Sequence, residues 1–314
     1  METIISMLIS AVGQGFLYAP MALGVFITFS ILKTPDLTVD GSFVAGMTVC
    51  AAVTVAGHPI LGIAAGTLAG ALSGACTGLL QTKLAVNAIL AGILTMTGLY
   101  TVNYAVLGGQ SNLYLQYQAV NAQGGTVMNP SATIYKMFAA ALGDTLDSGA
   151  YVLILTAVIV VVLCIFLAVF FRTRPGMAIR ATGDNEEMVR SSSINADAAR
   201  IAGVMLANGL VAMSGAFLCH SQRYADLNCG SGMLVMGLAS VIIGQVLIGD
   251  KDVLRGVIAA AAGSVIYRII IQIAYKIDMP SYAVKLLSAL IVAVFLTLPL
   301  IKSRLGGRRE AVRK

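Results

Sequence analysis

Ser214, in the run Met-Ser-Gly, stands six residues before His220, and this is the pairing in the chain that comes nearest to a hydrolytic nucleophile with its base. A serine attacks only when a base orients and deprotonates it and donors wait for the oxyanion. No third orienting group accompanies the pair, and a serine beside glycine in an apolar run is ordinarily a packing residue. The two histidines, His58 and His220, fall at the ends of hydrophobic runs, and no set of Cys, His, Asp and Glu has metal-ligand spacing. A Gly-x-x-x-x-Gly-Lys-Ser/Thr phosphate loop is absent, so nucleotide hydrolysis is not expected of this chain. Of the five cysteines, Cys50, Cys76 and Cys164 lie in apolar segments and read as small soft hydrophobes. Cys219 and Cys229 flank the polar residues 220–228 and could bridge if that segment faced an oxidising compartment.

With catalysis set aside, the remaining polar residues must be placed by the elements around them. Of the 314 residues, 58% are hydrophobic and 11% are charged, against roughly 25% charged in an average soluble domain. Apolar runs recur from end to end and read as about nine membrane spans. They cover about 4–32, 43–56, 60–80, 84–107, 151–171, 201–219, 233–248, 253–274 and 282–301. The expected fold is all-α, a polytopic membrane protein of about 8–10 transmembrane helices in one domain, residues 1–301, with a basic tail at 302–314. The opening segment lacks the basic flank and cleavage site of a secretory signal, so the first span is expected to stay. Gly13-Gln14-Gly15 and Pro20 are expected to interrupt it.

Orientation follows from the basic residues, which collect in cytoplasmic loops. Placing 172–200 inside brings in Lys33, Lys83, Lys251, Arg255 and the tail by alternation, which accounts for 15 of the 20 Lys and Arg residues. That arrangement puts the long stretch 108–149 outside, with a short amphipathic helix expected near 132–142. The net charge of +6 therefore reads as a topology signal and not as a nucleic-acid footprint. With tryptophan absent, interfacial anchoring is expected of Tyr100, Tyr104, Tyr135, Tyr151 and Tyr282.

Ion-driven carriers and channels need ionisable groups at mid-membrane depth. Here the spans hold almost none; the exceptions are Asp36 and Asp40 before the second span and Arg268 in the eighth. Their polarity is otherwise neutral: Gln14, Thr38, Ser42, Asn87, Thr95, Thr97, Asn103, Asn208, Ser240 and Gln245. Such walls suit a small neutral or zwitterionic solute. Two carboxylates in lipid would cost on the order of 2–3 kcal/mol each, so 36–42 must face protein or water. Asp36, Thr38, Asp40, Ser42, Asn87, Asn208 and Gln245 are the expected translocation-pathway residues, the alternative being a cytoplasmic loop in which Asp40 caps the next helix. Gly62, Gly66, Gly70, Gly74 and Gly78 form a one-in-four stripe that lets another helix approach closely.

The interior segment 172–200 is the most charged. Asp184-Asn-Glu-Glu reads as a helix start, with acids at the positive end of the dipole, and a short helix over 185–192 is expected. Met188 and Val189 on its surface would suit a groove on a soluble partner.

The run Arg174-Pro-Gly-Met-Ala-Ile-Arg-Ala-Thr-Gly-Asp-Asn, followed by Ile194-Asn, Gly203, Asn208-Gly-Leu and Ser214-Gly, resembles the cytoplasmic coupling segment of ATP-binding cassette (ABC) importer permeases. The resemblance is to the branched-chain amino acid and ribose permease superfamily. Pro35-Asp-Leu-Thr-Val-Asp-Gly-Ser42, with its extra Asp40, is most similar to the tryptophan/tyrosine-type uptake subgroup, and Gly237 to Gly244 resembles a glycine-bounded run late in the same superfamily. It implies a type II-like importer fold in a bacterial cell membrane. The implied partners are a second permease copy, two ATPase subunits that bind ATP and Mg, and an extracytoplasmic binding protein or lipoprotein. No cofactor is implied for this chain. The implied ATPase-coupling residues are Arg180, Gly183, Asp184, Asn185, Glu187, Met188 and Arg190. The solute is expected to be an amino acid, aromatic by preference. The alternatives are an ABC permease for nucleosides or sugars, or an ion-coupled secondary carrier.

Overall fold

A computed structural model describes residues 2–120, 126–130, 132–143, 148–249, 252–276 and parts of 286–297. Because lipid offers no hydrogen bonds, a spanning chain must pair its backbone internally, and the apolar runs accordingly fold as helices. These are α1 (Glu2–Phe26), α2 (Val39–Val55), α3 (Pro59–Thr82), α4 (Ala88–Val106), α6 (Ser148–Phe170), α9 (Ala196–Gln222), α10 (Met233–Ile248) and α11 (Val253–Lys276). Short helices α5 (Ile134–Ala141), α7 (Arg174–Asp184) and α8 (Glu186–Ser191) lie between them. Seven helical stretches among the described residues are long and apolar enough to cross a membrane, and α2 is a shorter apolar helix. The expected ninth span, 282–301, falls largely outside the described residues.

The basic loops gather at one end of the bundle. Lys33 pairs with Asp184 at 2.7 Å and Lys83 with Asp197 at 3.7 Å, so the α1–α2 and α3–α4 connections both meet the 172–200 segment. At the opposite end β1 (Asn112–Tyr114) pairs antiparallel with β4 (Tyr224–Asp226), and β2 (Gln116–Val120) with β3 (Thr126–Pro130) forms a hairpin. The stretch expected to hold only a short helix therefore also carries strands.

The core is built on α1, α2, α3 and α9. The glycine stripe seats α3 on two neighbours in succession: Gly62 and Gly66 face α2 at Cys50 and Gly46, while Gly70, Gly74 and Gly78 face α9 at Ala212, Val204 and Ile201. A methyl group on Gly70 would overlap Ala212 Cβ and crowd the Asn208 carbonyl. Contrary to expectation, α1 runs unbroken through Gly13, Gly15 and Pro20. Gly15 instead allows α11 to approach at Val265, and Ser264 donates to its carbonyl. The irregularity comes later, as a π-helical turn over Ile27–Ile31. Two of the expected anchors, Tyr135 and Tyr151, are buried, whereas Tyr100 and Tyr104 are exposed; Tyr282 is outside the described residues.

Candidate functional site

Two places in the fold carry the polar residues singled out by the sequence. The first is a break in the helices. After Ile31 the chain leaves the basic end as an extended segment and resumes helix at Val39. Lys33 still lies at that end, on Asp184, but Asp36 already reaches Asn208. Asn208 is twelve residues into α9, about 18 Å at 1.5 Å per residue, close to the middle of that 27-residue helix. The segment thus climbs within the bundle, and α2, only 17 residues long, completes the crossing. Residues 33–55 are a short unwound lead, 33–38, followed by the 17-residue helix α2.

The break is held by side chains from four elements. Asp36 Oδ1 accepts from its own turn at Thr38 N (2.9 Å), and Oδ2 accepts from Asn208 Nδ2 at 2.6 Å. Ser42 Oγ donates to Asn208 Oδ1 at 2.7 Å and lies 2.7 Å from Ser73 Oγ; Thr38 Oγ1 lies 2.8 Å from Thr77 Oγ1. Asp36, Thr38, Ser42 and Asn208 are all buried, so this cluster ties α2, α3 and α9 together instead of facing an open channel. Buried polar groups need such partners.

Asp40, one turn further on, is half-buried and turned elsewhere. Its carboxylate accepts from the backbone N–H of Gly232 (3.0 Å) and Leu234 (2.8 Å), so it caps α10 rather than the helix it belongs to. The approach to α10 is a second break. From Arg223, in left-handed conformation at the end of α9, the chain runs through β4 and a 3-10 turn at Leu227–Gly230, then starts α10 inside the bundle. The 16 residues of α10 span about 24 Å. Between α2, α4 and this re-entrant turn lies a cavity of about 380 Å³ lined by Asp40, Val44, Met96, Tyr100, Asn103 and Asn228, among others.

Two expected pathway residues lie apart from this region. Asn87 is exposed and caps α4 by accepting from Ile89 N at 3.0 Å, a role set by its place in the α3–α4 turn at the basic end. Gln245 donates to Ser30 Oγ at 2.7 Å beside a cavity of about 200 Å³ shared with Arg180, Asp184 and Asp252.

The second place is the charged segment. α7 ends at Asp184 and α8 begins at Glu186, with Asn185 between them as cap: its side chain accepts from Met188 N at 3.0 Å. Asp184, expected as a cap, instead pairs with Lys33, because it closes α7 and does not open α8. Gly183 lets α7 lie against the backbone of Ile31 and Leu32, at the end of the π-helical turn. The base of α8 is tied down by charge: Glu186 binds Arg190 and Arg200, and Arg190 also binds Asp197 at 2.6 Å. Glu186 first, then Asp197, holds the Arg190 guanidinium above its ordinary pKa. Arg190 is thus already engaged within the chain. Val189 is buried while Met188 is 62% exposed.

Other candidates resolve plainly. Ser214 donates to Leu17 O at 2.7 Å, whereas His220 lies 3.4 Å from Thr54 Oγ1, so serine and histidine serve different contacts. Cys219 and Cys229 are both free thiols, and Cys219 is buried in the core beside Cys50. Arg268 places its guanidinium 3.5 Å over the Tyr18 ring. Ser73 and Thr77, which the sequence reading did not single out, belong to the polar cluster.

Comparison with known proteins fits this arrangement. Residues 7–296 match the family described as branched-chain amino acid transport system / permease component. The chain is 32% identical over 290 residues to the tyrosine transport system permease protein of Clostridioides difficile, covering 92% of this chain and 90% of that one. It is 26% identical over 299 residues to an uncharacterized protein of Rickettsia prowazekii, covering 93% and 97%. No solved structure gives a significant match. The apolar helices, the two breaks and the charged segment lie on a multi-pass bacterial membrane protein. The chain belongs to the permease component family of branched-chain amino acid transport systems.

Proposed function

We propose that this chain is the permease subunit of an ABC importer for an amino acid of the tyrosine class. Two copies would form the pathway, two ATPase subunits would bind ATP and Mg at the basic end, and an extracytoplasmic binding protein or lipoprotein would deliver the solute. The observation that carries this reading is α8: a short helix fixed at its base by Glu186, Arg190, Arg200 and Asp197, with Met188 held out of the protein. An apolar side chain presented on a rigid, charged mount fits a groove on a soluble partner.

Coupling follows from what α7 touches. ATP binding favours one arrangement of the ATPase pair, and a lever seated in that pair shifts the permease between states. In this chain the lever leans on Ile31 and Leu32 through Gly183 and on Lys33 through Asp184. Those residues lead directly into the extended segment that carries Asp36 and runs into the first turn of α2 at Asp40. A π-turn followed by unwound backbone is the part of a helix easiest to reshape. Arg180, Gly183, Asp184, Asn185, Glu187, Met188 and Arg190 form the coupling surface in this reading, and Asp36, Thr38, Asp40, Ser42 and Asn208 form the moving break.

The test is uptake of labelled tyrosine into proteoliposomes holding the permease, its ATPase and the binding protein. Uptake should require enclosed or external ATP on the ATPase side and should be indifferent to ion gradients. Uptake by the permease chain alone, driven by an ion gradient, would overturn the proposal in favour of a secondary carrier.

A further inference from the structure

We propose that the groove between α1, α6 and α11 holds an acyl chain of an anionic phospholipid, whose phosphate meets Arg172 at the basic end of the bundle. The proposal concerns how the chain engages the surrounding lipid and stands apart from which solute it carries.

The groove has a volume of about 750 Å³. α6 lines it from Val160 to Arg172 and α11 from Leu254 to Ile266, at steps of one, three or four residues, so each helix presents one face. Each run covers twelve residue steps, about 18 Å at 1.5 Å per residue, close to half of a hydrocarbon core of about 30 Å. The groove thus has the reach of an acyl chain in the leaflet at the basic end. Ala168, Ala261 and Ala262 leave the hollow that larger side chains would fill, and Phe16 of α1 stands behind it. Val161, Ile165 and Ile258 are exposed along its edges, so it opens toward lipid. Described residues of the last apolar run, Leu287, Ile291 and Phe295, pack with Tyr267 and Ile271 on the other face of α11.

Charge and shape choose the occupant. Arg172 lines the groove where the apolar run of α6 ends, and it is exposed there. A long arginine side chain reaches from the edge of the hydrocarbon into the headgroup layer, and its guanidinium fork matches a phosphate. A basic residue at the mouth of an apolar groove between membrane helices is complementary to an anionic headgroup whose chain lies in the groove. A second copy fits less well. Related by a twofold axis along the membrane normal, it brings the same hollow and the same arginine at the same depth, so hollow faces hollow and like charges meet.

The experiment takes the full chain, purified in detergent, and measures by native mass spectrometry its retention of dioleoylphosphatidylglycerol and dioleoylphosphatidylcholine. These lipids share their acyl chains and differ in headgroup charge. The anionic lipid should be held about fivefold more tightly, the contribution of one basic residue at a membrane surface. Arg172→Gln should erase that preference by removing the charge, and Ala168→Phe should erase it by filling the groove. Phosphatidylglycerol with a photoreactive group in its acyl chain should label α6 and α11. Equal retention of the two lipids by the unaltered chain overturns the proposal, and this comparison needs no variant to fold. An undiminished preference in either variant overturns it too, as does labelling confined to other helices. Cross-linking of Val161→Cys between two copies, with no anionic lipid retained, would assign the face to a second copy and likewise overturn it.

Discussion

Asp36 is 3% exposed, with both carboxylate oxygens hydrogen-bonded inside the bundle, while Met188 is 62% exposed on the surface of a charged helix. Each inverts the usual rule, an acid buried in an apolar protein and a hydrophobe left out of it. The break around Asp36 meets its polar needs from within: Thr38, Ser42, Ser73, Thr77 and Asn208 connect three helices. The lever around Met188 meets its charge needs from within, through Glu186, Arg190, Arg200 and Asp197, but leaves its apolar need open. Internal satisfaction marks a joint, and an unmet apolar side chain on a rigid mount marks a contact with something else.

Substitutions can break that contrast, and the largest effect is expected at Asn208. Asn208→Leu strands the Asp36 carboxylate and Ser42, and loss of one partner of a buried polar group costs about 1–3 kcal/mol or more when the group is charged. We expect the detergent-purified chain to unfold at a clearly lower temperature, by on the order of 3 kcal/mol. Unchanged stability would mean that the network is solvated and not a joint.

Next is Gly70→Ala, which drives a methyl into Ala212 and the Asn208 carbonyl and should cost about 1–3 kcal/mol as overpacking. Gly98→Ala, where a methyl group meets no atom within 4 Å, is the matched control and should not destabilise the chain, since it adds helix propensity without a clash. Equal effects at both positions would remove the stripe from the joint. Smaller still is Lys33→Ala. Its side chain and that of Asp184 are 57% and 71% exposed, and surface pairs contribute about 0–1 kcal/mol. Stability should barely move, whereas the ATPase rate stimulated by solute should fall if this pair links lever to break.

How far these features were legible in the sequence depended on distance along the chain. Asp36, Thr38, Ser42 and Asn208 stood out because polar groups in hydrocarbon demand partners, and the structure brings those four together. Their partners Ser73 and Thr77 passed unnoticed, although they lie one residue before Gly74 and Gly78 on the face already marked by the glycine stripe. Asp40 was readable as a cap, but which helix it caps was not, since its donors are 192 and 194 residues away. The β1–β4 pairing escaped for the same reason: Leu113 meets Ala225, and three-residue strands carry no periodic signal. The Asn185 cap and the α8 helix were readable because they are set by neighbours within four residues. Asp184 was misread because one residue decides whether an acid closes one helix or opens the next.

The most direct test of the contrast is Met188→Glu, assayed for melting temperature and for ATP-driven tyrosine uptake in proteoliposomes. A surface change away from any internal contact should alter stability by no more than about 0.5 kcal/mol. The account predicts an intact, normally melting complex whose solute-stimulated ATP hydrolysis and uptake are abolished. Uptake at the rate of the unaltered complex would contradict it.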